Sequence, residues 1–545
     1  MSMIIIVITR FPAVREENIL FLTCLIQFDK MKGKIQESRQ GRIMLFNSYI
    51  FIFLFLPVTL IGWFFLNRIE KYKAAQAFLV AMSLWFYAYF DVSYLSIILA
   101  SCLINYLFSF LLTKKEDARF QKGMLIAGCV INLGILGYFK YYDFFLENLN
   151  AVFSADFSLK HILLPLGISF FTFQQLSFVI DRCKGKAPHY ELLDYLNFVT
   201  FFPQLIAGPI VLHSELIPQF QDKEKRKFDA GSFAQGIAFF VIGMGKKVLL
   251  ADTLAKAVNY GFGAIAGLDS LSAVLVALAF TFELYFDFSG YCDMAVGIGK
   301  MFRMEIPDNF NAPYRSASVK EFWRRWHMTL GRFFTTYVYI PLGGSRKGKV
   351  RTVVNMMIVF LLSGLWHGAN WTFVFWGFLH GVGVSVNSLF MGWKKKKGAD
   401  KRENTGRMDF VRRHLAQLIT FVFVCLAFVF FRSDTMADGF LFLKRMFSFE
   451  YNGSIFAVAE AVTVSEIYIV TKAFSMIAPQ LLSVVNVVVF LFVTFVSVFM
   501  LSRKRTREIV ENNKWSNGFG LKMAVLFVWS VLSLSGVSTF LYFNF

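Results

Sequence analysis

The sequence predicts an all-α polytopic membrane protein with about twelve transmembrane helices, joined by re-entrant and amphipathic interfacial helices. Three observations predict it. Hydrophobic residues make up 56% of the 545-residue chain and charged residues 17%, with a mean hydropathy of +0.54. Apolar runs of about 20 residues, the length that crosses a hydrocarbon core of about 30 Å, recur along the chain. Lys and Arg gather in short clusters between those runs, as they do in cytoplasmic loops.

In chain order the spans are expected near 46–66, 76–90, 92–112, 123–141, 161–180, 233–251, 271–291, 353–368, 371–391, 415–431, 482–501 and 521–542. The apolar stretch 195–212 carries Pro203, Gly208 and Pro209, which predicts a broken or re-entrant segment rather than a straight span. Loops 67–75, 113–122, 181–232, 292–352, 392–414 and 502–520 hold most of the basic residues and are placed in the cytoplasm. The tetralysine 394–397 belongs to one of them and reads as topogenic. A multi-pass protein of the cell membrane follows, with one membrane domain over 44–545. Residues 1–43 form an N-terminal extension whose apolar stretches are too short to span, and Met44 is the expected natural start.

The net charge of +20 raises nucleic-acid binding, but its confinement to inter-span loops excludes that class in favour of lipid headgroups. Six scattered cysteines without a CxxC pair indicate neither a disulfide framework nor a metal site. No GxSxG elbow, phosphate loop, dinucleotide fingerprint or HExxH is present. A covalent serine mechanism and ATP-driven transport are thereby disfavoured, and no bound cofactor is implied.

Chemistry concentrates in three segments. In 363–381, SGLWHGANWTFVFWGFLHG, two apolar runs leave from a Gly-Ala-Asn break, predicting a helix hairpin that turns after His367 beside Asn370. Trp366, Trp371 and Trp376 are expected to wall the imidazole, and Gly364 and Gly368 to admit a substrate chain close to the backbone. A dry, neutral imidazole takes a proton from a hydroxyl acceptor; the competing reading is a core histidine bonded to a carbonyl. His380, one turn inside the next helix, reads as structural.

The second segment, 320–339, spaces Phe322, Trp326, Leu330, Phe333 and Tyr337 on one helical arc, predicting a cytoplasmic interfacial helix. His327 falls at the edge of that arc beside Trp323, facing either an internal cavity or the headgroups. Arg324 and Arg325 would attract an anionic donor such as coenzyme A phosphates, or lipid phosphate. The third, 281–293, sets Glu283 and Asp287 one turn apart, with Asp293 beyond. An ion-pair network with Lys246 and Lys247 is one reading, and orientation of a histidine or substrate the other. His161, His189, His213 and His414 are expected at solvated or interfacial positions.

The blocks YFDFSGYCDMAVGIG, NFNAPYRSASVKEFWRRWHMTLGRFF, YIPLGG and LWHGANWTFVFWGFLHG resemble the alginate O-acetyltransferase branch of the membrane-bound O-acyltransferase superfamily. LFNSYIFIFLFLPV, LPLGISFFTFQQLSFVID and FFPQLIAGPI extend the resemblance over roughly 44–545. The D-alanyl transfer protein of teichoic acid modification is a shorter relative that lacks the two C-terminal spans. The resemblance implies a ring of tilted helices around a central tunnel, in which a cytoplasmic acyl donor meets an outer acceptor. It implies that His367, of the WHG block, is catalytic, and that His327, of the RRWH block, is the second histidine tied to activity. It also implies an extracytoplasmic acyl-accepting partner and a surface polysaccharide. Thr335 and Thr336 stand where the family pattern often has an Arg-Asp pair, so no carboxylate role is carried over there.

The expected activity is therefore acyl transfer, acetyl above all, from acetyl-coenzyme A or a carrier thioester to a hydroxyl. Its catalytic residues are His367 and His327, with Trp366, Asn370, Trp323, Arg324, Asp287 and Asp293 supporting. D-alanyl transfer to teichoic acid is the neighbouring alternative. A glycan or lipid transporter is the rival class, weakened because the chain lacks two hydropathy-matched halves. A non-catalytic scaffold has little reason to bury ionisable groups.

Overall fold

In the computed structural model, described over residues 44–114, 117–396, 407–462, 464–501, 505–513, 515–534 and 540–541, regular structure is helical. The expected N-terminal extension and part of the basic loop 392–414 lie outside these residues. Eight helices are long and apolar enough to cross a membrane: Phe51–Arg68, Ser93–Thr113, Ala118–Phe153, Ser270–Met301, Gly348–His367, Trp371–Trp393, Phe410–Arg432 and Pro479–Leu501. Four segments expected to span fall short of that length: Tyr72–Ala88, Ile168–Cys183, Ala230–Gly245 and Asn517–Leu532.

The first half of the chain supplies α1 (Phe51–Arg68), α2 (Tyr72–Ala88), α3 (Ser93–Lys114), the 36-residue α4 (Ala118–Phe153) and α5 (Ile168–Cys183). The segment expected to be broken is broken. α6 (Leu192–Thr200) and α7 (Phe202–Leu205) are separated at Phe201, and the chain then runs without helix to α8 (His213–Gln221). Every residue from Asn197 to Val211 is buried, so protein rather than lipid meets this irregular backbone.

α9 (Ala230–Gly245) continues through a π-turn at Lys246–Ala251 into α10 (Asp252–Gly263), and packs along α11 (Ser270–Met301). Four glycines make that approach possible. A Cβ on Gly236 would stand 2.6 Å from the Gly297 carbonyl oxygen, and one on Gly290 2.7 Å from that of Gly243. Small residues seven apart on facing helices let backbones touch, which strengthens dispersion where no hydrophobic effect drives helices together. α11 is thereby the most enclosed of the long helices, with 78% of its apolar window buried.

Sequence periodicity over 320–339 does not yield one interfacial helix. The chain forms α12 (Val319–Trp323), turns, forms α13 (Met328–Phe334) and passes into a π-turn at Thr335–Tyr339. The break is at His327, whose φ of 45° lies in the left-handed region. Asn309 holds it, its main-chain carbonyl accepting from the Met328 N–H at 2.9 Å. Phe322, Trp326, Leu330 and Phe333 are buried in the protein core, not laid on a headgroup surface.

α14 (Gly348–His367) and α15 (Trp371–Lys396) form the expected hairpin, followed by α16 (Arg407–Arg432), α17 (Met436–Met446), α18 (Ile455–Ala461), α19 (Tyr468–Ile477), α20 (Pro479–Leu501), α21 (Thr506–Glu511) and α22 (Asn517–Leu532). Gly364 does not make room for substrate. Its Cα faces Gly377 and the Phe373 carbonyl across the hairpin, and Gly368 lies against the Phe373 ring. A Gly364→Val substitution overpacks a backbone contact, at the upper end of the usual penalty, about 3 kcal/mol. The expected result is a lower unfolding temperature of the detergent-purified protein; an unchanged one would contradict this packing.

Candidate active site

His367 is the last residue of α14, and His327 occupies the turn between α12 and α13. Both are buried, 4% and 1% exposed, although they lie forty residues apart in sequence. Trp366 contacts both, its ring centroid 6.1 Å from that of His327 and 4.8 Å from that of His367. Phe173 stacks on Trp366 at 5.5 Å and fixes its plane. Trp376 and Phe431 close the other sides of His367 at 5.1 and 5.2 Å. Trp371, expected as a third wall, is 55% exposed and donates its indole N–H to Asn148 instead.

The tautomer of His327 is set by Asn309. The Asn309 side-chain oxygen accepts from the Thr329 N–H at 3.2 Å and the Thr329 hydroxyl at 3.0 Å, which identifies it as the oxygen. Its 3.0 Å contact with Nδ1 of His327 is then a bond donated by the ring, leaving Nε2 as the acceptor nitrogen. Burial pushes the His327 pKa down to about 3, so the ring is neutral at physiological pH. Asn309 is a site residue that sequence reading missed, since its partner lies 18 positions away.

Two further residues come from α4. Lys140 donates to the main-chain carbonyls of Trp366 and His367 at 2.6 and 3.1 Å, and the Tyr141 hydroxyl to that of Leu365 at 2.9 Å. They satisfy carbonyls that the end of a helix leaves open, and so anchor the backbone that carries His367. A lone lysine at the end of the apolar run 123–141 was the available signal.

The supporting residues divide. Trp323 donates its indole N–H to Nδ1 of the fully buried His380 at 3.1 Å. Arg324 is exposed at the mouth of a cavity described below. Asn370 caps α15 by accepting from the Thr372 N–H at 3.0 Å, and donates to the Asp434 carbonyl at 2.8 Å. Asp287 and Asp293 form the ion-pair network: Lys247 bridges Asp287 at 2.5 Å and Asp252 at 2.8 Å, and Lys246 meets Asp293 at 2.6 Å. Glu283 is buried beside them and forms no ion pair among the described residues. These carboxylates face lysines of the α9–α10 junction.

Of the four histidines expected in solvated settings, His161 and His414 are exposed and His189 is half-buried. His213 is not solvated: it is 2% exposed, with Nδ1 3.1 Å from the Tyr190 hydroxyl and Nε2 3.4 Å from Asp181. The reason is tertiary, because α5 and α8 pack together and α8 begins at this residue.

Three cavities approach the WHG turn. One of about 740 Å³ runs from Lys320, Arg324 and Arg332 past Trp323 and Met356 to Ser363, one turn before His367. A second, about 70 Å³, is bounded by Lys140, Gly167, Ala207, Trp366 and His367. A third, about 370 Å³, lies beyond the turn and is lined by Asn259, Gly368, Asn370, Arg432 and Asp434. The first reaches Ser363 within α14 and the third begins at Gly368 just past its end, while His367 itself lines the second.

The fold is that of a multi-span helical membrane protein with internal cavities around a buried histidine. The chain belongs to the membrane-bound O-acyltransferase family, whose model matches residues 24–431. It is an O-acyltransferase. It is 41% identical to a peptidoglycan O-acetyltransferase of Helicobacter pylori, over 74% of this chain and 80% of that protein. Identity to an alginate O-acetylase of Pseudomonas aeruginosa is 38%, over 74% of this chain and 75% of the relative. A teichoic acid D-alanyltransferase of Streptococcus thermophilus is more distant, 29% identical over 49% of this chain and 68% of the relative.

Proposed function

We propose that this enzyme moves an acetyl group from a cytoplasmic thioester, acetyl-coenzyme A or a carrier-bound acyl group, to a hydroxyl beyond the membrane. The acceptor is a surface glycan or a relay protein that serves one. The observation that carries this reading is that buried His367 lines the small cavity, while the two larger ones reach Ser363 and Gly368 on either side of it in the chain. The larger has a basic mouth and an apolar throat, suited to phosphates outside and a pantetheine arm within. The outer cavity offers amide, guanidinium and carboxylate groups beside Phe373 and Phe431, a lining suited to a hydroxylated acceptor. The names of the relatives, which act on peptidoglycan and alginate, support a glycan acceptor.

In the proposed reaction His367 takes the proton of the acceptor hydroxyl as its oxygen attacks the thioester carbonyl. A carbon–oxygen bond forms, the carbon–sulfur bond breaks, and the proton passes to the departing thiolate. His327, whose ring contacts Trp366, positions the thioester arm. Trp323 lines the larger cavity, Trp366 the small one beside His367, and Arg324 draws the anionic donor to the mouth. Asn370 orients the turn, while Asp287 and Asp293 keep α9–α11 in place. The four shorter helices cross as well, tilted and in a thinned centre, which brings the spans to about twelve. Residues 44–545 act as one domain.

The test is base-labile acetate on envelope polysaccharide in cells with and without the gene. Its loss on deletion and return on complementation are expected; D-alanine esters in its place, or transport of intact substrate without ester, would refute acetyl transfer. Asn309→Ala removes the bond that sets the His327 tautomer, costing about 1–3 kcal/mol in the transition state. Acetylation by membranes carrying that variant is expected to fall roughly tenfold to a hundredfold. Normal activity would remove His327 from the reaction.

A further inference from the structure

The 70 Å³ cavity is the smallest of the three, and it is the one that His367 itself lines. Its floor is rigid. Gly167 has φ 71°, and a Cβ there would meet the Leu205 carbonyl oxygen at 2.7 Å. Leu166, Ile168 and Phe170 complete an apolar wall, and Trp366 covers one side. The space suits an acyl group of two or three carbons and no longer chain. One wall carries a lysine. Lys140 enters from α4 and is held by the carbonyls of Trp366 and His367, at the negative end of the α14 dipole. No carboxylate lies within ion-pair distance of it among the described residues, so the two carbonyls and the helix end are what stabilise its protonated form.

We propose that this cavity is the acyl-group pocket and that Lys140 is its specificity-determining residue, admitting short neutral acyl groups and excluding those that bear an ammonium. This rests on the acyl-transfer reading above and adds the charge of the group transferred. An aminoacyl thioester presents its ammonium two bonds from the reacting carbonyl, within about 5 Å of any group that lines so small a cavity. Two like charges at that separation, away from bulk water, suppress the aminoacyl donor by about 100-fold relative to a neutral isostere.

Propionyl and glycyl groups form such a pair, equal in size and differing in charge. The experiment uses membrane vesicles containing the full chain and its own acceptor. They are given labelled acetyl-, propionyl- or glycyl-pantetheine thioester, and base-labile label in polysaccharide is measured. Wild type is expected to transfer acetyl and propionyl and to prefer propionyl over glycyl by about 100-fold. Lys140→Met and Lys140→Gln are expected to reduce that preference at least tenfold, and Lys140→Arg to keep it. The ratio compares two donors on one preparation, so reduced folding does not move it. Absence of acetyl transfer by wild type defeats the acyl-transfer reading and this inference with it. Acetyl transfer with a propionyl preference under threefold, or a preference unchanged in both neutral variants, overturns this inference alone. Loss of all three transfers in both neutral variants also overturns it, leaving Lys140 as an architectural clamp.

Discussion

His367→Ala is expected to lower ester formation by about 10²–10⁴-fold while the protein still inserts and accumulates. The magnitude is that of a positioned general base, and the setting argues for the upper part of the range. The imidazole is enclosed by Trp366, Trp376 and Phe431, so little water reaches the place where a proton must be taken. Accumulation is expected because the side chain ends α14 and the anchoring bonds from Lys140 and Tyr141 go to main-chain carbonyls, which the substitution keeps. The measurement is initial rate of acetyl transfer per amount of inserted protein, and near-normal rates would end the assignment.

Lys247→Met is expected to destabilise the fold by about 3–5 kcal/mol, because it leaves buried carboxylate charge without its counterion. Lys247 is 4% exposed and joins Asp287, itself 2% exposed, to Asp252 at the start of α10. Glu283 lies one turn from Asp287, so removing the lysine leaves two acidic groups together in a dry interior. Asp287 also accepts from the Leu541 N–H at 2.9 Å, which ties the C-terminal segment to the same network. Thermal unfolding in detergent checks the loss. Lys247→Met combined with Asp287→Leu is expected to recover part of it, since an apolar pair replaces an orphaned charge. A double variant no better than the single one would contradict an ionic role.

Much of this was legible in the order of residues. Eight of the expected spans recur as long apolar helices, because hydropathy over 20 residues is a local property that the bilayer reads locally. The hairpin after His367 was marked by its Gly-Ala-Asn break, and the partnership of Lys246 and Lys247 with Asp293 and Asp287 by the rule that charge at membrane depth is paired. Other expectations failed for one reason. The periodic arc at 320–339 reads as a surface helix, yet a left-handed His327 held by Asn309 splits it and turns it inward. Gly364 reads as room for substrate, and is used instead by a facing helix.

Composition and hydropathy alone determined that this chain lives in a membrane and that His367 and His380 sit in apolar surroundings. They did so because transfer of a side chain from water to hydrocarbon depends on that side chain and its near neighbours. Only the tertiary structure decided that His367 and His327 contact one tryptophan, that Asn309 sets a tautomer, and that Lys140 reaches the WHG turn across 227 positions. Such contacts are made by helices packing on one another, and hydrogen bonds between distant residues leave no periodic trace along the chain.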